Sequence, residues 1–314
     1  MDRHASKPII APVPKKILAR ELSKAVFVRE TKNGGNRVFA FHAMDAPLLM
    51  REVGRLRELT FRQAGGGTGE VLDMDEFDSR RNGYRQLIVW DPDAGKILGG
   101  YRYKVCDHNT IDAQGDVRLS SASLFHFSEK FRSQYLPHMI ELGRSFVQPA
   151  YQSTGRLRKG IYALDNLWDG LGALVVNHPK KKYFFGKVTM YRRYNMVARD
   201  ILLHFLWKYF ACADMLVRPI EPIETKLRQA ELEGILTGKE YREDYKVLSK
   251  SVRRLGEKIP PLINSYMKLS PTMKVFGTAM NRQFGNVEET AIMVTIADIY
   301  EHKIQRHIPA IDPA

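Results

Sequence analysis

The sequence predicts an α/β (α+β) fold: a mixed central sheet flanked by helices, with a C-terminal helical extension. Three observations predict it. β-rich runs alternate with segments whose apolar residues recur at helical spacing; one Pro/Asp/Gly turn joins two β-rich runs into an antiparallel hairpin; and 314 residues at 44% hydrophobic content are enough to bury one large core.

Residues 1–36 read as an N-terminal arm rich in Pro and Lys. "RVFAFHAM" (37–44) is the first strand, and "APLLMREVGRLREL" (46–59) carries apolar residues at helical spacing. "AGGGTGE" (64–70) is too glycine-rich for regular structure and lacks the Lys-Ser/Thr of a phosphate-binding loop, so it reads as a flexible loop. "YRQLIVWDPDAGKILGGYRYKVCD" (84–107) is a hairpin turning at "DPDAG". A strand at 139–147 follows. The helix over 157–176 is expected to bury Leu157, Ile161, Leu164, Trp168, Leu171 and Val175. A strand at 181–190 and a helix at about 197–213 complete a core over 37–220. Residues 221–314 open with a highly charged, exposed helical excursion to Lys258. A helix with prolines in its first turn comes next, then a last strand at 289–298.

The formal net charge is +14, from 49 Lys and Arg against 35 Asp and Glu, which favours an acidic partner without choosing among nucleic acid, an anionic membrane and an acidic protein. Cys106 and Cys212 are too few for a disulfide framework and have no metal-ligand spacing; buried free thiols in a reducing compartment follow. The N-terminus has no continuous apolar stretch of the kind a signal peptide needs. The most apolar run, from Ile201, is broken by His204, Lys208 and Asp214 and reads as a core helix. The expected location is cytoplasmic, compatible with peripheral contact at an anionic membrane face.

Charges that do not belong to surface helices gather at Arg57, at Asp75 and Asp78 in "DMDEFDSRR", at Arg102 in "GGYRYKV", and at Glu141 and Arg144 in the strand "IELGRSFV". A charge inside a strand is costly unless paired or used. Residues three apart on a regular strand face opposite sides, so Glu141 and Arg144 can share a site only if a residue is bulged between them, and Gly143 is well placed for it. A bulge leaves backbone N–H groups free to meet a developing oxyanion. "YQSTGRLRKG" (151–160) then brings a helix N-terminus with basic residues, suited to a phosphate.

These residues resemble the GNAT acyltransferase superfamily, whose donor-binding turn follows Q/R-x-x-G-x-G/A. Gln152, Ser153, Thr154 and Gly155 match its first four positions, and Leu157 departs at the last. More closely, the chain is similar to the ornithine and glycine N-acyltransferases of aminolipid synthesis, a group that includes many chains labelled hemolysins. "LRELTF" (56–61), "DEFD" (75–78), "GGYRY" (99–103) and "ELGRSFVQPAYQ" (141–152) carry that similarity, with "IPPLINSYMKLSPTMKVFGTAMNRQF" (259–284) as its C-terminal part. Acyl-homoserine lactone synthases are similar at the same charged positions. Met280–Asn281 stand where the family has an Asp, and the His-x4-Asp motif of O-acyltransferases is missing.

The resemblance implies transfer of a fatty or 3-hydroxy fatty acyl group from an acyl carrier protein to the α-amine of glycine or ornithine. It implies no resident cofactor and no metal. The co-substrate is a phosphopantetheine thioester, acyl-ACP or alternatively acyl-CoA. Catalytic work falls to Glu141 as base, with Arg144, Asp75, Asp78, Arg102 and Arg57 around it. Donor binding falls to Val147, Gln152, Ser153, Thr154, Gly155, Arg156 and Arg158. Arg102 and Arg144 could hold the acceptor's carboxylate or tether Asp75 and Asp78, and the sequence leaves both open. The competing reading is a basic membrane-surface or nucleic-acid-binding protein on the same scaffold, with "HPKKKYFFGKVTMYRRYN" (178–195) as its footprint; under the enzyme reading no nucleic acid is expected.

Overall fold

A computed structural model describes residues 6–152 and 162–308. In chain order its elements begin α1 (Lys15–Leu22), β1 (Val26–Glu30), β2 (Arg37–His42), α2 (Pro47–Ala64), α3 (Glu76–Ser79), β3 (Arg85–Asp91), β4 (Lys96–Val105) and β5 (Phe125–Phe127). They continue with β6 (Met139–Val147), α4 (Ala163–Asn177), β7 (Tyr183–Met190), α5 (Met196–Phe210), β8 (Val217–Pro219) and α6 (Gln229–Ile235). The last are α7 (Tyr241–Arg254), α8 (Pro261–Met267), β9 (Lys274–Asn281), β10 (Val287–Thr295) and α9 (Glu301–His307). The chain forms two compact units that interleave along the sequence. The first takes 1–106, 138–182 and 300–314, and the second 107–137 and 183–299.

In the first unit β1, β2, β3, β4 and β6 pair in that order, each antiparallel to the next. The predicted hairpin forms, its turn closed by Asp91, whose Oδ1 accepts from the Asp93 and Ala94 amides at 3.1 Å. One face of the sheet carries Gln86, Arg102 and Gly143, which are in register across β3, β4 and β6, and α2 covers it. On the other face α4 packs against β3 and β4: a Cβ on Gly170 would lie 2.6 Å from Leu87 and 2.9 Å from the Tyr101 hydroxyl.

The expected arm is not featureless. Glu21 of α1 is buried and accepts from the Leu48 amide at the start of α2, and β1 is the edge strand of the sheet. The 64–70 loop is irregular but tied down. The buried Glu58 carboxylate accepts from the amide (3.0 Å) and hydroxyl (2.8 Å) of Thr68 and from the Gly69 amide (2.9 Å). The predicted face of α4 is also corrected: Leu164 is exposed, whereas Asn166, Asp169 and the two glycines are buried. Asn166 bonds Asn36, and Asp169 faces His307 at 3.0 Å and the Lys32 amide. Polar groups with built partners and side-chain-free contacts set that face, and neither registers as apolar periodicity.

In the second unit β7, β10 and β9 form an antiparallel sheet, and β5 pairs with β8. The last strand runs 287–295 rather than 289–298, and β9, within the segment read only by resemblance, is its partner. The charged excursion holds two helices rather than lying free. Leu248 and Val252 of α7 are buried and Asp244 binds Lys208 and Tyr209 of α5, while the Phe205 ring meets Tyr241 at a tilt and Tyr245 edge-on. Phe184 and Phe185 are buried as well. Of the aromatics in the basic 178–195 stretch, these two are therefore core residues and offer no stacking face, while Tyr183, Tyr191 and Tyr194 are half-buried. Cys106 is buried as expected and Cys212 only partly; both are free thiols. No helix among the described residues is long and apolar enough to cross a membrane.

Candidate active site

The strand β6 carries the bulge that its two charges require. Gly143 remains opposite Arg102, but Phe146 stands opposite Gly100, so three steps of β6 oppose two of β4. The extra residue is Arg144, with φ 52°, and not the glycine beside it. A left-handed arginine costs about 1 kcal/mol or more unless its surroundings hold it. Here the holding group is Asp73, fully buried, with Oδ2 2.9 Å from Arg144 Nε. Asp75 lies 3.8 Å from the same guanidinium.

Arg102 donates from one nitrogen to Asp75 at 2.6 Å and to Asp78 at 3.0 Å. Arg57 of α2 binds both oxygens of Asp78 at 3.2 Å and also donates to Gln86, whose amide returns to Asp78 at 2.8 Å. The short helix α3 exists to present this pair of acids. Asp75 caps it by accepting from the Phe77 and Asp78 amides, and Asp78 accepts from the Asp75 amide in return. The sequence left Arg102 and Arg144 with two roles, and both now tether aspartates.

Burial would raise the Asp78 carboxyl, but Arg57 and Arg102 beside it hold it well below the usual carboxylate range. At Asp73 the balance goes the other way. Burial pushes its carboxyl up, and the pull of Arg144, Arg57 and Arg102 offsets only part of that. Burial likewise opposes the charge on Arg102, yet Asp78 and Asp75 bind its proton more firmly than in water.

Glu141 is 1% exposed and its carboxylate accepts from the Tyr84 hydroxyl. Tyr84 is itself buried, with the Arg102 guanidinium 4.9 Å from its ring centroid. Six of the expected site residues thus meet in one unit. Arg57, Asp78, Arg102 and Glu141 are sealed inside, while the Asp75 side chain is 31% and that of Arg144 13% exposed. A reactant would approach from the side of those two.

Two glycines let the strands come this close: a Cβ at Gly99 would run into the Phe146 carbonyl, and one at Gly100 would sit 2.5 Å from that of Leu87. Beyond the bulge, Val147 ends β6 opposite Gly99 and its carbonyl accepts from Gln152 Nε2 at 2.5 Å. The turn after β6 is anchored by Tyr151, whose hydroxyl donates to Asp91 at 2.9 Å. Ser153, Thr154, Gly155, Arg156 and Arg158 lie outside the described residues.

Asp73, Tyr84, Gln86, Tyr151 and Glu58 were not singled out by the sequence. The signal for Asp73 was its place in "DMDEFD", two residues before Asp75; the others are single polar residues whose partners are fixed only by folding.

Buried acids beside a bulged strand, on a sheet flanked by helices, fit the acyltransferase class of GNAT type. Comparison with known proteins agrees. The family model for the acetyltransferase (GNAT) domain matches residues 56–159. A glycine N(alpha)-acyltransferase of Phocaeicola vulgatus is 51% identical over 300 residues, spanning 96% of this chain and 92% of that protein. A protein of the same name from Bacteroides thetaiotaomicron is 50% identical over 96% of this chain and 89% of its own length. No solved structure matches the chain significantly. The chain is an acyltransferase and belongs to the GNAT family together with these glycine N(alpha)-acyltransferases.

Proposed function

We propose that this chain moves a fatty acyl group, 3-hydroxylated in the form that serves aminolipid synthesis, from the phosphopantetheine thioester of an acyl carrier protein to the α-amine of glycine. The observation that carries the acceptor is identity of about half over nearly the whole length of two proteins named for glycine N-acylation. Glycine is the proposed acceptor in preference to ornithine.

An ammonium cannot attack a carbonyl, so a base must take its proton, and such a group is typically worth about 10²–10⁴-fold in rate. Glu141 is that base, with Tyr84 holding its carboxylate. The amine nitrogen bonds to the thioester carbon, the amides of the Arg144 bulge stabilise the tetrahedral oxyanion, and the C–S bond breaks. The amine's remaining surplus proton leaves as the amide forms, and the departing thiolate is protonated. Arg57, Asp78, Arg102 and Gln86 are a frame that fixes Asp75 and Arg144 at the mouth, where they meet the acceptor. Val147, Gln152, Ser153, Thr154, Gly155, Arg156 and Arg158 are the residues that the resemblance assigns to the pantetheine arm.

The test is release of free thiol when the purified protein meets acyl-ACP or acyl-CoA with glycine, ornithine, serine or lysine. Turnover with glycine and acyl-ACP well above every other combination is expected. Equal or better use of ornithine, or of acyl-CoA, would overturn the acceptor or the donor respectively.

A further inference from the structure

The second unit carries a surface that the chemistry above does not use. Around the outside of α7, Arg242, Lys246, Lys250, Arg253 and Arg254 are all exposed. At 100° per residue they fall within one third of the helix circumference, opposite the buried Asp244, Leu248 and Val252. Among the described residues none of these five cations has a carboxylate within ion-pair distance.

The acids of the same stretch are engaged elsewhere. Asp244 is taken by Lys208, Tyr209 and the Gly238 amide, Glu257 by the Asn195 amide, and Glu243 by the Lys239 amide. An ordinary solvated helix alternates its charges in i,i+4 pairs. Here 242/246, 246/250 and 250/254 are all like-charged, an arrangement that weakens a helix unless an anion meets it. A cavity of about 560 Å³ opens on this face, lined by Tyr245, Lys246, Ser249, Lys250, Arg253 and Arg254. Lys268 adds a further cation 5.6 Å from the Tyr245 ring centroid.

We infer that the outer face of α7 is a docking surface for an acidic protein, the carrier that presents the acyl donor. This rests on the donor reading above. Charge complementarity selects the occupant: carrier proteins are strongly acidic, and a row of unpaired cations steers such a partner and fixes its orientation. A membrane-seeking helix would set exposed apolar residues beside its cations. Here Leu248 and Val252 of α7 are spent on the protein's own core and Val247 alone of its aliphatic residues is exposed beside the cations, so the contact on offer is chiefly ionic.

The experiment compares full-length wild type with the triple variant Lys246→Glu, Lys250→Glu, Arg253→Glu, using acyl-ACP and acyl-CoA of the same chain length. The KM for acyl-ACP should rise about tenfold or more at low salt. That difference should shrink as salt is added, while the KM values for glycine and acyl-CoA stay put. An unchanged KM for acyl-ACP in a folded variant overturns the inference and leaves the donor reading standing. Wild type that uses acyl-CoA and not acyl-ACP overturns both. Loss of binding to anionic phospholipid vesicles without a change in KM for acyl-ACP assigns the face to a membrane instead. Should the triple variant fail to fold, Lys246→Gln with Lys250→Gln gives a smaller rise in the same direction, and no rise there overturns the inference equally.

Discussion

The Tyr84 hydroxyl donates to the Glu141 carboxylate while the Arg102 guanidinium lies over the Tyr84 ring, so one phenol links the proposed base to the buried arginine–aspartate frame. A hydrogen bond to a carboxylate favours its charged form. Tyr84→Phe keeps the ring and the cation contact and removes only that bond. The acid limb of the kcat/KM profile should then move to higher pH, with turnover at neutral pH falling severalfold. A lower Tm with an unmoved acid limb would reduce Tyr84 to a packing residue.

Glu141→Gln preserves size and hydrogen-bonding capacity but cannot accept the ammonium's proton. Turnover at saturating glycine should drop by at least about 100-fold with the melting temperature little changed. A near-normal rate would remove Glu141 from the mechanism. A loss of stability on the scale of about 3–5 kcal/mol, as when a buried ionic partner is removed, would make it a structural group.

The acids and arginines of the site were visible in the sequence because each breaks a local rule: a charge in a strand, a doubled aspartate, an arginine in a hairpin. The bulge was predictable from parity once Glu141 and Arg144 were assigned to one site, since they are an odd number of residues apart. Its position was not. Glycine is the residue expected at positive φ, yet Gly143 stays paired to Arg102 and Arg144 takes the turn because Asp73 holds it there. Local propensity is blind to such a partner. The same blindness hid α1, whose Glu21 finds its use at the start of α2, and the inner face of α4, where Gly170 and Asp169 do what a leucine was expected to do. Hairpin turn chemistry and the apolar spacing of α2 were read correctly because both are complete within a few residues of chain.

Asp78 makes a pH-dependent contribution whose sign follows from its arginines. Its folded carboxyl sits below the ordinary value, so its stabilisation is present above about pH 4 and is lost as pH falls below that toward the folded value. Asp78→Asn should cost about 3–5 kcal/mol at pH 7, because it leaves Arg57 and Arg102 buried with less counter-charge. Urea midpoints of variant and wild type should converge between pH 4 and pH 2. A constant gap over that range would mean that the carboxyl's charge is not what the arginines bind.

Loop anchoring by Glu58 can be isolated from chemistry. Glu58→Gln leaves the Arg62 pair and part of the Thr68–Gly69 hold weakened, and should cost about 1–3 kcal/mol, as losing charged hydrogen bonds at a buried group does. Native-state hydrogen exchange at the Thr68 and Gly69 amides should speed up selectively, with kcat unchanged. Uniform acceleration across α2 would show that Glu58 supports the helix rather than the loop.

Arg144 and Asp73 form the pair on which the bulge depends, and a double-mutant cycle can read it. Asp73 is a buried carboxyl pushed above its ordinary value, so ionising it works against the fold, and stability falls as pH rises from the ordinary value through the raised one. Arg144 offsets that cost. Arg144→Ala should therefore destabilise by about 3–5 kcal/mol at pH 7, and less at pH 4, where Asp73 is closer to neutral. Asp73→Asn added to Arg144→Ala should recover much of the loss at pH 7, since an uncharged amide needs no counter-ion, giving a coupling of about 1–3 kcal/mol. Activity should stay low in the double variant, because the bulge has lost the contact that held residue 144 at positive φ. Additive losses would show that Asp73 and Arg144 act independently, and full activity in the double variant would show that the bulge is set by β4 alone.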